Sequence, residues 1–188
     1  MISNMKNQFK KLSTFNFQFS TPRGFTLVET LLAVTIIAVL GTILLSNFNP
    51  LEQIKKSNDA KRKASLNQLQ RALESYYSDY GKYPASSPDY KLYINATTLN
   101  WGSRWSPYMD TLPADPMASR TYIYYSPLSS NGQTYYLYAN LELGFKDPQA
   151  CLKGNACSSV TSGAAGFPTA TACGGTCSFG LSSPNVSP

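Results

Sequence analysis

A chain of 188 residues suits one modest domain with appendages. It contains no histidine, which excludes a Ser-His-Asp or Cys-His catalytic set and removes the commonest neutral metal ligand. A formal charge of +6 would point to nucleic acid or an anionic membrane, but Lys6, Lys10, Lys11 and Arg23 all precede a long apolar block; taking those four from the 16 basic residues leaves 12 against 10 acidic ones, so the excess belongs to targeting.

Residues 1–24 carry four basic and no acidic side chains and end in Thr21-Pro22-Arg23-Gly24, the pattern of a cytoplasmic leader peptide. From Thr30 to Leu51 the sequence has 22 residues without a charge, and a helix needs about 20 to cross a bilayer core. No small-x-small cleavage site follows around Ser46 to Pro50, so the apolar helix is expected to remain in the mature protein. Glu29 stands out at its start. A carboxylate in an apolar membrane helix costs about 2.5 to 3.5 kcal/mol on insertion scales, so it needs a partner. A cut after Gly24 would create an α-amino group on Phe25, with Glu29 one helical turn beyond it.

The run Arg23-Gly24-Phe25-Thr26-Leu27-Val28-Glu29, followed by Leu31-Leu32-Ala33-Val34, resembles the prepilin cleavage and methylation motif of type IV pilins and type II secretion pseudopilins. The resemblance implies that a prepilin peptidase/methyltransferase cuts between Gly24 and Phe25 and methylates the Phe25 amine, and that Glu29 pairs with a neighbouring subunit's N-terminus. It also implies a helical polymer of identical and related subunits, built on an inner-membrane assembly platform with a cytoplasmic ATPase. The chain would be a single-pass membrane protein with a cytoplasmic N-terminus and an extracytoplasmic head, and after assembly part of a periplasmic or extracellular filament. Lys55, Lys56, Lys61, Arg62 and Lys63 lie just beyond the span, so charge counting alone leaves the orientation equivocal. Whether the filament is a pilus or a secretion pseudopilus stays open. The alternative is a minor or tip pilin that binds DNA or a surface ligand, in which case nucleic acid is a partner.

Beyond the span, Leu66, Leu69, Leu73, Tyr76, Tyr77 and Tyr80 recur at spacings of three and four, which predicts one apolar helical stripe. Gly81 and Pro84 stop it. One helix from Phe25 to Tyr80 would be about 80 Å long. Gly41 and Pro50 are the residues that would bend it, with the bend near residues 47–50. The basic residues from Lys55 to Arg71, interleaved with Glu52, Asp59 and Glu74, read as a solvated face, or else as a surface that docks acidic patches or DNA.

From Tyr83 to Phe145 prolines divide a tyrosine-rich stretch into short pieces. Thr121–Ser126 and Thr134–Leu143 read as strands, with Asn131-Gly132 as a hairpin signal between them. The tyrosines read as core and hairpin packing rather than as stacking platforms for sugars or bases. Four acids, Asp110, Asp115, Glu142 and Asp147, bear on calcium but are too sparse to assign as ligands, and no other cofactor is implied. After Asp147 the chain becomes small and polar, and residues 158–188 are expected as loops or disorder. Cys151, Cys157, Cys173 and Cys177 read as disulfides of an oxidising compartment; three connectivities are possible, and local pairing of Cys151 with Cys157 and of Cys173 with Cys177 is expected. Asn95-Ala96-Thr97 and Asn185-Val186-Ser187 fit the glycosylation sequon.

The expected architecture is α+β: a long N-terminal α-helix, its first half membrane-spanning, packed on a small antiparallel β-sheet head with an irregular C-terminal tail. The expected segments are a leader at 1–24, a transmembrane assembly helix at 25–50, a pilin-like head at 51–147 and a flexible cysteine-containing tail at 148–188. The expected role is that of a structural subunit, not an enzyme.

Overall fold

A computed structural model describes residues 24–47, 49–162 and 166–188. The leader, apart from Gly24, lies outside the described residues. The chain divides into two compact units, one ending at Phe48 and a head from Asn49 to Pro188.

The first unit contains helix α1, Leu27–Asn47, with Gly41 inside it. Helix α2, Pro50–Tyr80, opens the head. The single helix expected from Phe25 to Tyr80 is thus two, and the division falls at Asn49-Pro50 and not at Gly41. Asn49 has non-helical backbone angles and its side-chain oxygen accepts the Glu52 amide at 3.3 Å, while Pro50 occupies the first turn, where no amide hydrogen is needed. At the far end Gly81 takes the left-handed conformation (φ 66°) and donates to Tyr77 O at 2.8 Å.

Two small antiparallel sheets follow. The first, β1 (Ala85–Ser86), β2 (Leu92–Ile94) and β3 (Thr97–Thr98), escapes the sequence reading because its strands have two or three residues. The second holds β4 (Ile123–Tyr125), β5 (Tyr136–Ala139) and β6 (Phe179–Ser182) in that order. β4 and β5 are the expected strand pair, registered Ile123 to Tyr138 and Tyr125 to Tyr136. They are joined by a longer loop in which Asn131 and Gly132 both have positive φ.

Side chains alternate between the faces of a strand. Tyr124, Leu137, Ala139 and Phe179 enter a core with Leu66, Leu69 and Leu73 of α2, which are wholly buried. Each such leucine contributes about 1.5 to 3 kcal/mol of burial free energy. Ile123, Tyr125, Tyr136 and Tyr138 point the other way, into a second core with Cys157, Val160, Cys173 and Cys177. The stripe on α2 ends before Tyr80, which is 59% exposed and stacks on Tyr76.

The C-terminal segment departs most from expectation. It is irregular for most of its length, but it is not a flexible appendage. β6 pairs with β5 as the third strand, α3 (Ser158–Thr161) sets Val160 into the second core, and disulfides join Cys151 to Cys157 and Cys173 to Cys177. A sheet with apolar residues on both faces needs a cover on each, and this segment supplies the second one. Gly180 marks the fit, because a Cβ there would lie 2.7 Å from Pro188 Cβ and 3.1 Å from the Tyr138 ring.

Candidate functional site

The N-terminal device is small. Gly24 and Phe25 are exposed, Phe25 at 76%, immediately before α1. Thr26 caps the helix: its Oγ1 accepts the Glu29 amide at 3.3 Å, and its carbonyl accepts the Glu29 and Thr30 amides at 3.0 and 3.1 Å. Thr26-Leu27-Val28-Glu29 has the Ser/Thr-x-x-Glu spacing of a capping box, so the same residues that fit the processing motif also start the helix. Glu29 lies in the first turn, where the helix dipole favours a negative charge, and among the described residues no cation pairs with its carboxylate. The 18 residues Leu27–Leu44 are long and apolar enough to cross a membrane, and none of them is buried within the chain.

The head contains a charged cluster that the sequence reading places wrongly. Arg62 and Asp59, expected on a solvated face, are buried, Arg62 completely. The Arg62 guanidinium grips Asp115 with two parallel bonds, Nε to Oδ2 at 2.7 Å and Nη2 to Oδ1 at 2.9 Å. Its Nη1 donates to Asp59 Oδ1 at 2.8 Å and to Glu142 Oε1 at 3.0 Å. Asp59 also accepts the amides of Glu142 and Leu143, each at 2.8 Å. One guanidinium therefore ties α2 to the loop at Asp115 and to the segment after β5. Burial alone would favour loss of the Arg62 proton, but hydrogen bonds to Asp115, Glu142 and Asp59 outweigh it and raise its pKa. Burial likewise works against the Glu142 charge, and hydrogen bonds from Arg62 and Asn58 overcome it and lower the pKa. Asp147 is lowered in the same way: burial opposes its charge, and Lys63 and the Gln149 amide prevail.

Each of the four acids lies against a cation of the chain. Asp115 and Glu142 face the Arg62 guanidinium, Asp147 faces Lys63 at 2.6 Å, and Asp110 is a solvent-facing side chain 3.5 Å from Arg104. Calcium takes six to eight oxygens around one point, and these carboxylates serve three separate cations instead. Among the described residues no group of three His, Cys, Asp or Glu could hold a metal ion. The four acids do not fit the ion.

Most of the tyrosines serve the two cores. Tyr83 and Tyr135 bury their rings and donate to the two oxygens of Glu74 on α2, at 2.9 and 3.0 Å, and Tyr108 donates to Asp79 at 2.7 Å. Burial first, and then the Glu74 charge, push the Tyr135 hydroxyl well above its usual range.

Comparison with known proteins divides the chain along the same lines. The family described as prokaryotic N-terminal methylation motif matches residues 20–45, and the family described as type II secretion system (T2SS), protein G matches residues 49–144. The second match contains Asp59, Arg62, Asp115 and Glu142, and stops short of the disulfides and β6. Among curated relatives, the type II secretion system core protein G of Escherichia coli (strain K12) is 30% identical over 99 residues, covering 50% of this chain and 66% of that protein. The core protein G of Pectobacterium carotovorum subsp. carotovorum is 29% identical over 97 residues, with 50% and 61% covered. That of Klebsiella pneumoniae is 29% identical over 100 residues, with 52% and 70% covered. The chain thus spans a little under two thirds of the first two relatives' lengths. No solved structure matches.

Proposed function

The chain belongs to the type II secretion system protein G family of pseudopilins, and on that premise we propose that it is made as a membrane-inserted precursor, cut between Gly24 and Phe25, and polymerised through its N-terminal helix into a secretion pseudopilus. The observation that carries this reading is an exposed Gly24-Phe25 pair just before a helix in which no residue from Leu27 to Leu44 is buried and whose acid, Glu29, lies in the first turn. Cleavage and methylation by a prepilin peptidase leave a cationic amine on Phe25. In lipid Glu29 is costly, and a neighbouring subunit's amine relieves it by forming an ion pair in a low-dielectric setting. Lipid and neighbouring helices are both apolar, so moving α1 from bilayer to filament core exchanges one apolar surrounding for another.

The family consists of structural subunits, and we assign this chain no catalytic step of its own. Its partners are the processing enzyme, copies of itself and related subunits, and an inner-membrane platform driven by a cytoplasmic ATPase. The basic leader stays on the cytoplasmic side and the head lies on the oxidising side, where its disulfides persist.

Mass spectrometry of the native polypeptide tests the proposal. The expected N-terminal residue is a methylated Phe25, and a mature chain that keeps residues 1–24 or begins elsewhere overturns the reading.

A further inference from the structure

The large apolar side chains that the head leaves exposed gather at the two ends of α2. Tyr80, Tyr93 and Leu128 line one pocket where it finishes. Leu51 and Ile54 lie in its opening turns; Phe145 lies in a short 3₁₀ turn, Gly144–Lys146, whose Lys146 pairs with Glu52 of those turns, and Leu152 in a tight loop, Cys151–Gly154, packed against that 3₁₀ turn.

This second group is built. Lys146 Nζ sits 2.6 Å from Glu52 Oε1, in the first turn of α2, which places the 3₁₀ turn Gly144–Lys146 next to that turn. The loop Cys151–Gly154 packs against the 3₁₀ turn at Gly154, whose approach to the backbone of Gly144 and Phe145 leaves no room for a Cβ. Leu152 and Lys153 both hold positive φ, 42° and 58°, a conformation that non-glycine residues avoid and that surrounding structure must impose. The Cys151–Cys157 disulfide closes that loop. The result is a braced loop that keeps Leu152 60% exposed beside Phe145 at 69%.

The charges at this end are one-sided. Glu52 is paired with Lys146, Asp147 with Lys63, and Asp59 and Glu142 with Arg62. Lys55, Lys56 and Lys153 are exposed and, among the described residues, none of them pairs with an acid.

We propose that this end of the head is a docking surface for anionic lipid headgroups, with Phe145 and Leu152 entering the bilayer interface and Lys55, Lys56 and Lys153 facing the lipid phosphates. Exposed apolar side chains flanked by lysines are the pattern of interfacial membrane binding. The inference rests on the reading of α1 as a membrane span. In the sequence only five residues separate Leu44, the end of the 18-residue apolar window, from Pro50. The docked head would hold the subunit against the membrane until extraction.

The test uses the head fragment 49–188, which contains both cores and both disulfides. Its co-sedimentation with phosphatidylcholine vesicles is compared with that on vesicles containing phosphatidylglycerol, at low and high salt. The expected result is binding to the anionic vesicles alone, lost at high salt. The double variant F145S/L152S, which withdraws two large apolar side chains from the interface, and the triple variant K55Q/K56Q/K153Q, whose lysines are each worth about a fivefold gain near an anionic surface, should each weaken binding by at least about tenfold, with unchanged thermal midpoints. Failure to bind anionic vesicles at low salt, equal binding to phosphatidylcholine, or wild-type binding by both variants overturns the proposal. Self-association abolished by F145S/L152S, without vesicle binding, assigns the surface to a second copy and also overturns it. Processing at Phe25 is read independently, so loss of lipid binding leaves the filament proposal standing.

Discussion

Helix α1 and the head satisfy their side chains in opposite ways. α1 buries nothing in its apolar stretch, and Glu29 in its first turn has no cation partner among the described residues. In the head, by contrast, α2 seals Leu66, Leu69 and Leu73 beneath a sheet, and its buried cation has three carboxylates around it. The free energy of α1 is therefore set by what lies outside the chain, which on the proposed function is lipid or other copies, whereas that of the head is set within the chain. Damage to α1 should appear as failed assembly with an intact head, and damage to the head core as lost stability with an intact membrane anchor.

The sharpest way to separate the two regions is Glu29→Ala. Processing and head folding should be unchanged, while filament yield in a shear-and-sediment assay should fall by at least about tenfold, the equivalent of about 1.4 kcal/mol per subunit joined. Normal filaments from this variant would break the comparison, because α1 would then need no partner for its acid.

The reverse experiment is Arg62→Met. It leaves Asp59, Asp115 and Glu142 without their shared cation, and stranding a buried charge in this way costs about 3 to 5 kcal/mol. The thermal midpoint of the head should drop by roughly 10 °C, while membrane insertion and cleavage proceed as in the wild type. A shift under about 2 °C would mean that the cluster is open to water and that α2 is held by its leucines alone.

How far each region can be read from sequence follows the same division. α1 is legible because 22 uncharged residues in a row admit few structures, and the stop at Gly81 is legible because a left-handed cap needs glycine. β4 and β5 are legible as continuous apolar runs, and the reason they are continuous, burial on both faces, becomes clear only with the sheet. Arg62 is misplaced because charged residues on a helix are usually solvated, yet it lies four residues before Leu66 on the buried stripe, and that spacing was the available signal. Asn49-Pro50 invites a reading as a flaw in one long helix, although an asparagine cap followed by proline is equally the start of a new one. β6 has four residues in a setting of serine and glycine, and its two inward residues, Phe179 and Leu181, gain meaning only from the strand beside them.

The smallest expected effect concerns acid. The folded head lowers the pKa of Glu142 from an ordinary 4.5 and that of Asp147 from an ordinary 3.8, so each binds its proton less readily folded than unfolded. Their contributions are complete above those ordinary values and disappear as pH falls through the lower folded ones. Arg62 stays protonated throughout and adds nothing to this slope. The thermal midpoint of the head should therefore hold between pH 7 and 5 and then decline below about pH 4.5, by on the order of 5 °C down to pH 3. Arg62→Met should start from a lower midpoint but decline less steeply, because Glu142 no longer has the guanidinium that lowers its pKa. Parallel slopes in the two proteins would place the acid sensitivity at the Asp147 and Glu52 carboxylates, which Lys63 and Lys146 hold below the usual range, and leave Glu142 out of it.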